Sequence, residues 1–249
     1  MSLDVYVMPL WRFKADDFVS PIEDTLGMKP VVIAGEEDRP PPLPWYVRLL
    51  AKIGILEVSE EDLPPEKRRV HAVRQVQALQ RELTRLTGTM VEWPDQGEVQ
   101  YTAQFFHPVT LRAFAAWIDL RDELPEFLEA PERDYYRHAV WQLEKPSRRR
   151  YPTLIDHSLH TGYFVPVPFE GLHLVEPFSA WGREFHHHVA STQTISRELE
   201  GLLRELEAFP PAVKADHSTP VGAAHWYAQE LRRICDISLA HRLPVIFHG

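Results

Sequence analysis

Apolar and polar residues alternate from the start of the chain. Leu3, Val5 and Val7 stand against Asp4, Tyr6 and Met8, a period of two that predicts a half-buried strand over residues 3–8. A short apolar run at residues 31–34 is of strand type. Pro40, Pro41, Pro42 and Pro44 then form a stiff extended connector ahead of the amphipathic stretch at residues 45–50. The clearest helical pattern runs over residues 65–87, where Val70, Val73, Val76, Leu79, Leu83 and Leu86 recur at steps of three and four and Gly88 ends it. Its other side carries Lys67, Arg68, Arg74, Arg81 and Arg85, either a solvated face or a surface for an acidic partner or a nucleic-acid backbone.

A further strand is predicted over residues 99–106. His107 and Pro108 open a helix with Leu111, Phe114, Ala115 and Ile118 inside and Trp117 at its edge. A further helix over residues 131–145 places Tyr135, His138, Trp141 and Gln142 on one side, and residues 145–152 combine proline, serine and charge as a candidate boundary. Strands at residues 163–167 and 172–176 are expected to form a hairpin through residues 168–171, pushed to a sheet edge by Pro166 and Pro168. Ser191 or Thr192 caps a helix to about residue 209 with Ile195, Leu199, Leu202, Leu203 and Leu206 in its stripe. Thr219 and Pro220 start a last helix to about His241, and residues 244–247 close as a strand. Without regular βαβ alternation, these elements predict an α+β fold: a mixed or antiparallel sheet with several amphipathic helices packed against it, in one globular domain over residues 1–249.

Composition adds bounds. With 44% hydrophobic and 25% charged residues the chain buries a sizeable core, and Cys235, the single cysteine, excludes an internal disulfide framework. No basic and apolar leader opens the sequence and no apolar run reaches the roughly 20 residues of a membrane span, so the expectation is a cytoplasmic protein. A net charge of −9 argues against nucleic acid as a partner and leaves a protein partner as the expectation.

No phosphate loop, dinucleotide fingerprint, paired CxxC, HExxH or GxSxG occurs. Histidine is the chemistry left. Of 13 histidines, ten fall in residues 151–249. In Asp156-His157-Ser158-Leu159-His160 the two imidazoles share one metal if the segment is helical and split across two faces if it is a strand; His157, His160 and Asp156 are the candidate divalent-metal ligands. His186, His187 and His188 precede the predicted helix N-terminus, where Arg183, Ser191 and Thr192 offer further donors for an anion and Trp181 a flat wall; adjacency prevents all three imidazoles from converging on one centre. On the last helix Arg232 and Asp236 stand at pairing distance, and Cys235 beside its apolar side reads as a buried, inert thiol.

Two functions are consistent with these features. The first is a cytosolic protein-binding module, of the toxin-neutralising immunity type, with no catalysis and no cofactor assigned. The alternative is a metal- or histidine-dependent hydrolase acting on an anionic substrate, with His157, His160 and Arg183 as catalytic candidates. The hydrolase requires His157, His160 and one of His186, His187 or His188 to converge in a cleft with Asp156 behind them.

Overall fold

The computed structural model describes residues 2–18, 64–106, 108–119, 128, 149–180 and 183–249. In these residues six strands, β1 (Ser2–Val7), β2 (Tyr101–Phe106), β3 (Thr161–Val165), β4 (Leu172–Ala180), β5 (Arg183–Ser191) and β6 (Val245–His248), form one sheet in the order β2-β1-β6-β3-β5-β4. Every neighbouring pair is antiparallel except β3 with β5. Seven helices accompany it: α1 (Leu10–Lys14), α2 (Pro65–Thr87), α3 (Pro108–Ile118), α4 (Pro152–Asp156), α5 (Thr192–Leu206), α6 (Pro211–Lys214) and α7 (Pro220–His241). The architecture is α+β, with a mixed sheet.

Strand alternation divides the apolar residues between two cores. Leu3, Val5 and Val7 of β1 face the same way as Phe164, Ala190, Val245 and Phe247, and meet Phe114 of α3, Ile195 and Leu199 of α5 and Ala224 and Ile234 of α7. On the opposite face Tyr6, Met8, Tyr163, Val165, Val189 and Ile246 meet Leu10 of α1, Val76, Leu79 and Leu83 of α2, and Val91 and Trp93 beyond it. Each fully buried leucine here contributes roughly 1.5–3 kcal/mol. Val76, Leu79 and Leu83 of the expected α2 stripe reach this second core, whereas Val70 and Leu86, read into the same stripe, are exposed.

Local signals set the helix ends. Pro65 occupies the first turn of α2, and Gly88, at φ 67°, takes the left-handed conformation and donates its N–H to the Thr84 carbonyl. Ser191 caps α5, accepting from the Thr194 N–H, and Thr219 caps α7, accepting from the Gly222 N–H. The short α1 is capped from afar: the Asp95 carboxylate accepts from the N–H groups of Leu10 and Trp11. Burial raises the Asp95 pKa to about 6, against the pull of those two hydrogen bonds.

Three expectations change. Residues 163–176 do not make a hairpin, because β5 lies between β3 and β4 and pairs with both. Pro166 and Pro168 follow β3 instead of interrupting it, so β3 is an interior strand and β4, with Pro177 at an irregularity, is the edge. Residues 183–191, read as the approach to a helix, are strand β5; three consecutive imidazoles hide the alternation that would announce it. Trp117, expected at a helix edge, is buried. Residues 31–34, 40–50, 131–145 and the first half of the candidate boundary, residues 145–148, lie outside the described residues.

The β3–β5 contact depends on Gly162. Its φ is 123°, and a Cβ there would stand 2.0 Å from the His188 carbonyl oxygen. Gly162→Ala is therefore expected to cost about 2–4 kcal/mol of stability, combining backbone strain with the clash. Urea denaturation checks it, and a loss under about 0.5 kcal/mol, the range of an ordinary surface change, would contradict this packing.

Candidate functional site

Helix α4 ends against the sheet in a turn that gathers most of the polar chemistry. Its first N–H groups, those of Thr153 and Leu154, donate to the Glu198 carboxylate of α5 at 3.1 and 2.7 Å. Arg112 of α3 meets the C-terminal end of α4 and the turn beyond, its Nε donating to the Ile155 carbonyl at 2.9 Å and its Nη1 to the Ser158 carbonyl at 3.3 Å. Leu159 at φ 54° and Gly162 then turn the chain into β3.

His157 is fully buried in this turn. Its Nε2–H donates to the His188 carbonyl at 3.0 Å and its Nδ1 accepts from the Leu159 N–H at 3.1 Å, so its partners fix both the tautomer and the neutral state. Phe164 and Phe247 lie against the ring at centroid distances of 4.6 and 5.4 Å. His188 in turn accepts at Nδ1 from the Ser158 N–H at 3.1 Å. Burial holds the His157 pKa well below its ordinary value, with the charge of His188 adding to the shift, and burial lowers His188 as well. A ring nitrogen whose lone pair accepts a backbone N–H is not open to a metal ion.

The other candidates are spread out. Asp156 is exposed and paired with Arg149; His160 sits half-buried on the turn, its backbone N–H donating to Ser158 Oγ at 3.3 Å. Strand alternation sends His186 and His188 to one face of β5 and His187 to the other. Ser191 and Thr192 are buried, Ser191 spent as the α5 cap and Thr192 Oγ1 3.3 Å from Ser238 Oγ. Arg183 opens β5 through its backbone, its side chain and Trp181 lying outside the described residues. Among the described residues no group of three His, Cys, Asp or Glu side chains stands where it could hold a metal ion. Cys235 is buried, and burial pushes its thiol pKa up.

A second cluster, of which only His187 was a candidate from the sequence, occupies the opposite sheet face. Cross-strand register places Asp4 opposite His248, His248 opposite Thr161, and Thr161 Oγ1 at 2.7 Å from His187 Nδ1, so a polar row crosses β1, β6, β3 and β5. Beside it Lys14 of α1 spans both oxygens of Glu176 at 2.9 and 3.0 Å, and the Tyr163 hydroxyl donates to the same carboxylate at 3.2 Å. Glu176 sits at φ 46°, at the irregularity of β4. No spacing in the sequence joins Lys14 to Glu176, 162 positions apart; only the sheet order does.

The chain matches the model of the family described as "Putative DNA-mimic protein" over residues 1–247 and belongs to that family. No curated protein and no solved structure matches it. Family membership corrects both functional expectations, the toxin-neutralising immunity module and the hydrolase acting on an anionic substrate. Of the histidines that suggested chemistry, His157 and His188 have backbone partners and tie a turn to a strand, while His187 meets the Thr161 hydroxyl. A protein partner remains in keeping with the family, and among the described residues no helix is long and apolar enough to cross a membrane.

The buried imidazole has a pH signature. Because the folded pKa of His157 lies below the unfolded value, its contribution to stability is complete above about pH 6.5 and is lost as the pH falls toward the folded value. His157→Asn is expected to be less stable at pH 7 yet to lose stability less steeply between pH 7 and 5, by up to about 1.4 kcal/mol per pH unit. Denaturant midpoints across that range decide it; parallel profiles for the two proteins would mean that His157 is not held neutral.

Proposed function

We propose that the chain acts by occupying the DNA-binding surface of a protein partner, its carboxylates standing where the partner would otherwise meet phosphates. Family membership across residues 1–247 is the observation that carries this reading. Charge supports it. The described ion pairs largely neutralise one another: Arg150 with Asp119 and Glu205, Arg197 with Glu170, Arg232 with Glu200 and Asp236, and Lys214 with Glu207.

The acidic surplus belongs to other parts of the sequence. Residues 19–63 hold nine carboxylates against four Lys and Arg, and residues 120–148 hold seven against five, so most of the net −9 resides in these two stretches. Glu36-Glu37-Asp38 and Glu60-Glu61-Asp62 are contiguous runs, and Glu126, Glu129 and Glu132 recur every third residue. Duplex DNA carries one negative charge per roughly 1.7 Å of axis, so a protein competing for the same cationic surface needs carboxylates grouped this way, not scattered. Binding of this kind is steered by long-range attraction and weakens steeply with salt.

The test is displacement. DNA-binding proteins held on DNA-cellulose at low salt are expected to be released by the chain. A variant with Glu36, Glu37, Glu60 and Glu61 changed to Gln and Asp38 and Asp62 to Asn should require at least tenfold more protein for the same release. Release by free duplex but none by the chain would overturn the reading, as would equal potency of the variant.

A further inference from the structure

The turn that joins α4 to β3 hangs on two imidazoles used in the same way. Its consecutive N–H groups, those of Ser158 and Leu159, donate to the Nδ1 lone pairs of His188 and His157, each at 3.1 Å. A neutral imidazole whose Nδ1 accepts carries its proton at Nε2, and the His157 Nε2–H is spent on the His188 carbonyl at 3.0 Å. Nδ1 is then the position at which either ring takes up a second proton. A protonated Nδ1 is a donor, and here it would face another donor, so a charged ring and a closed turn exclude each other.

The surroundings oppose charge in place. The His157 ring is fully buried against Phe164 of β3 and Phe247 of β6, whereas His188 is half-buried. Among the described residues, the charged and titratable groups around the pair are Arg112 of α3, Asp156 at the end of α4 with its partner Arg149, His186 of β5, and His160 on the turn itself. Burial is the first cause that lowers the pKa of both rings. For His157 the charge of His188 and then that of Arg112 add to it; for His188 the charges of Arg112 and His186 add and Asp156 opposes. Arg112 cannot turn away, because it donates to the Ile155 and Ser158 carbonyls.

We propose that this turn is an acid-operated latch: His157 and His188 take up protons together, in one event that releases Ser158 and Leu159 from the two rings while the rest of the fold stays closed. The two N–H groups are adjacent in the chain, so a backbone movement that frees one Nδ1 carries the other donor with it. In the opened turn both rings titrate near the ordinary value of about 6.5, and the charged forms hold it open. Opening draws on Leu159, which is buried and sits at φ 54°. It stays local because α5 and α7 bury their own stripes against each other and do not need the turn.

Amide hydrogen exchange followed by NMR on the full chain, with the imidazole nitrogen shifts measured on the same samples, tests the latch. At pH 7 both rings are expected as the Nε2–H tautomer. Between pH 6 and 5 the protection factors of Ser158 and Leu159 should fall together, toward about a hundredfold for two protons taken up in one opening, against about tenfold for one. Protection of Ala228 and Ile234 in α7 should not follow them. The double variant His157→Asn, His188→Asn puts in place of each ring an amide oxygen that accepts an N–H and does not titrate, and should keep both amides protected down to pH 5. If that variant fails to fold, the wild-type profile decides alone. A fall no steeper than one proton allows, rings that charge while both amides stay protected, a loss shared equally by α7, or a folded variant that opens as wild type does would each overturn the proposal.

Discussion

The parallel pairing of β3 with β5 is the constraint on which the rest of this structure depends. β4 leaves β3, runs along the outer side of β5 and returns, so β5 has to enter the sheet between two strands that precede it. What holds it there is local and polar. Gly162 lets the β3 backbone approach the His188 carbonyl, and the His157 Nε2–H donates to that same carbonyl from the end of α4. A buried donor or acceptor left unpaired costs about 1–3 kcal/mol, so each of these groups makes the others obligatory. Both cores inherit the result, because Val189 and Ala190 of β5 point into opposite ones.

The two polar clusters look alike in composition and differ in kind. The one around His157 is closed: its ring nitrogens, the Arg112 guanidinium and the Glu198 carboxylate all bind backbone groups, at the two ends of α4, in the turn after it and on β5. The row across the other face is half-exposed in part, and its side chains bind one another, Thr161 to His187 and Lys14 and Tyr163 to Glu176. Together with the family, this accounts for a histidine-laden chain whose proposed activity is a matter of surface charge.

Much of this was legible in the sequence. The period of α2, its Gly88 stop, the caps Ser191 and Thr219, the strand at β1 and the buried Cys235 each follow from signals a few residues long. What was not legible is non-local. Three adjacent histidines carry no apolar alternation, so β5 was hidden, and without β5 its neighbours β3 and β4 fall together as a false hairpin. The histidines also drew attention because they are chemically versatile, whereas His157 and His188 bind backbone atoms some thirty residues away in sequence. The acidic runs at residues 36–38 and 60–62 were in plain view; taken as a net charge they spoke against nucleic acid and for a protein partner, and their clustering enters only with the proposed function.

The central claim is that this chain takes the place of DNA on a protein. Amide hydrogen exchange on a DNA-binding protein released in the displacement experiment tests it most directly, with the protein free, bound to duplex and bound to this chain. The account predicts that the chain and the duplex protect the same amides, and that protection by both fades as salt rises. Protection by the chain at a surface that the duplex leaves untouched would contradict it.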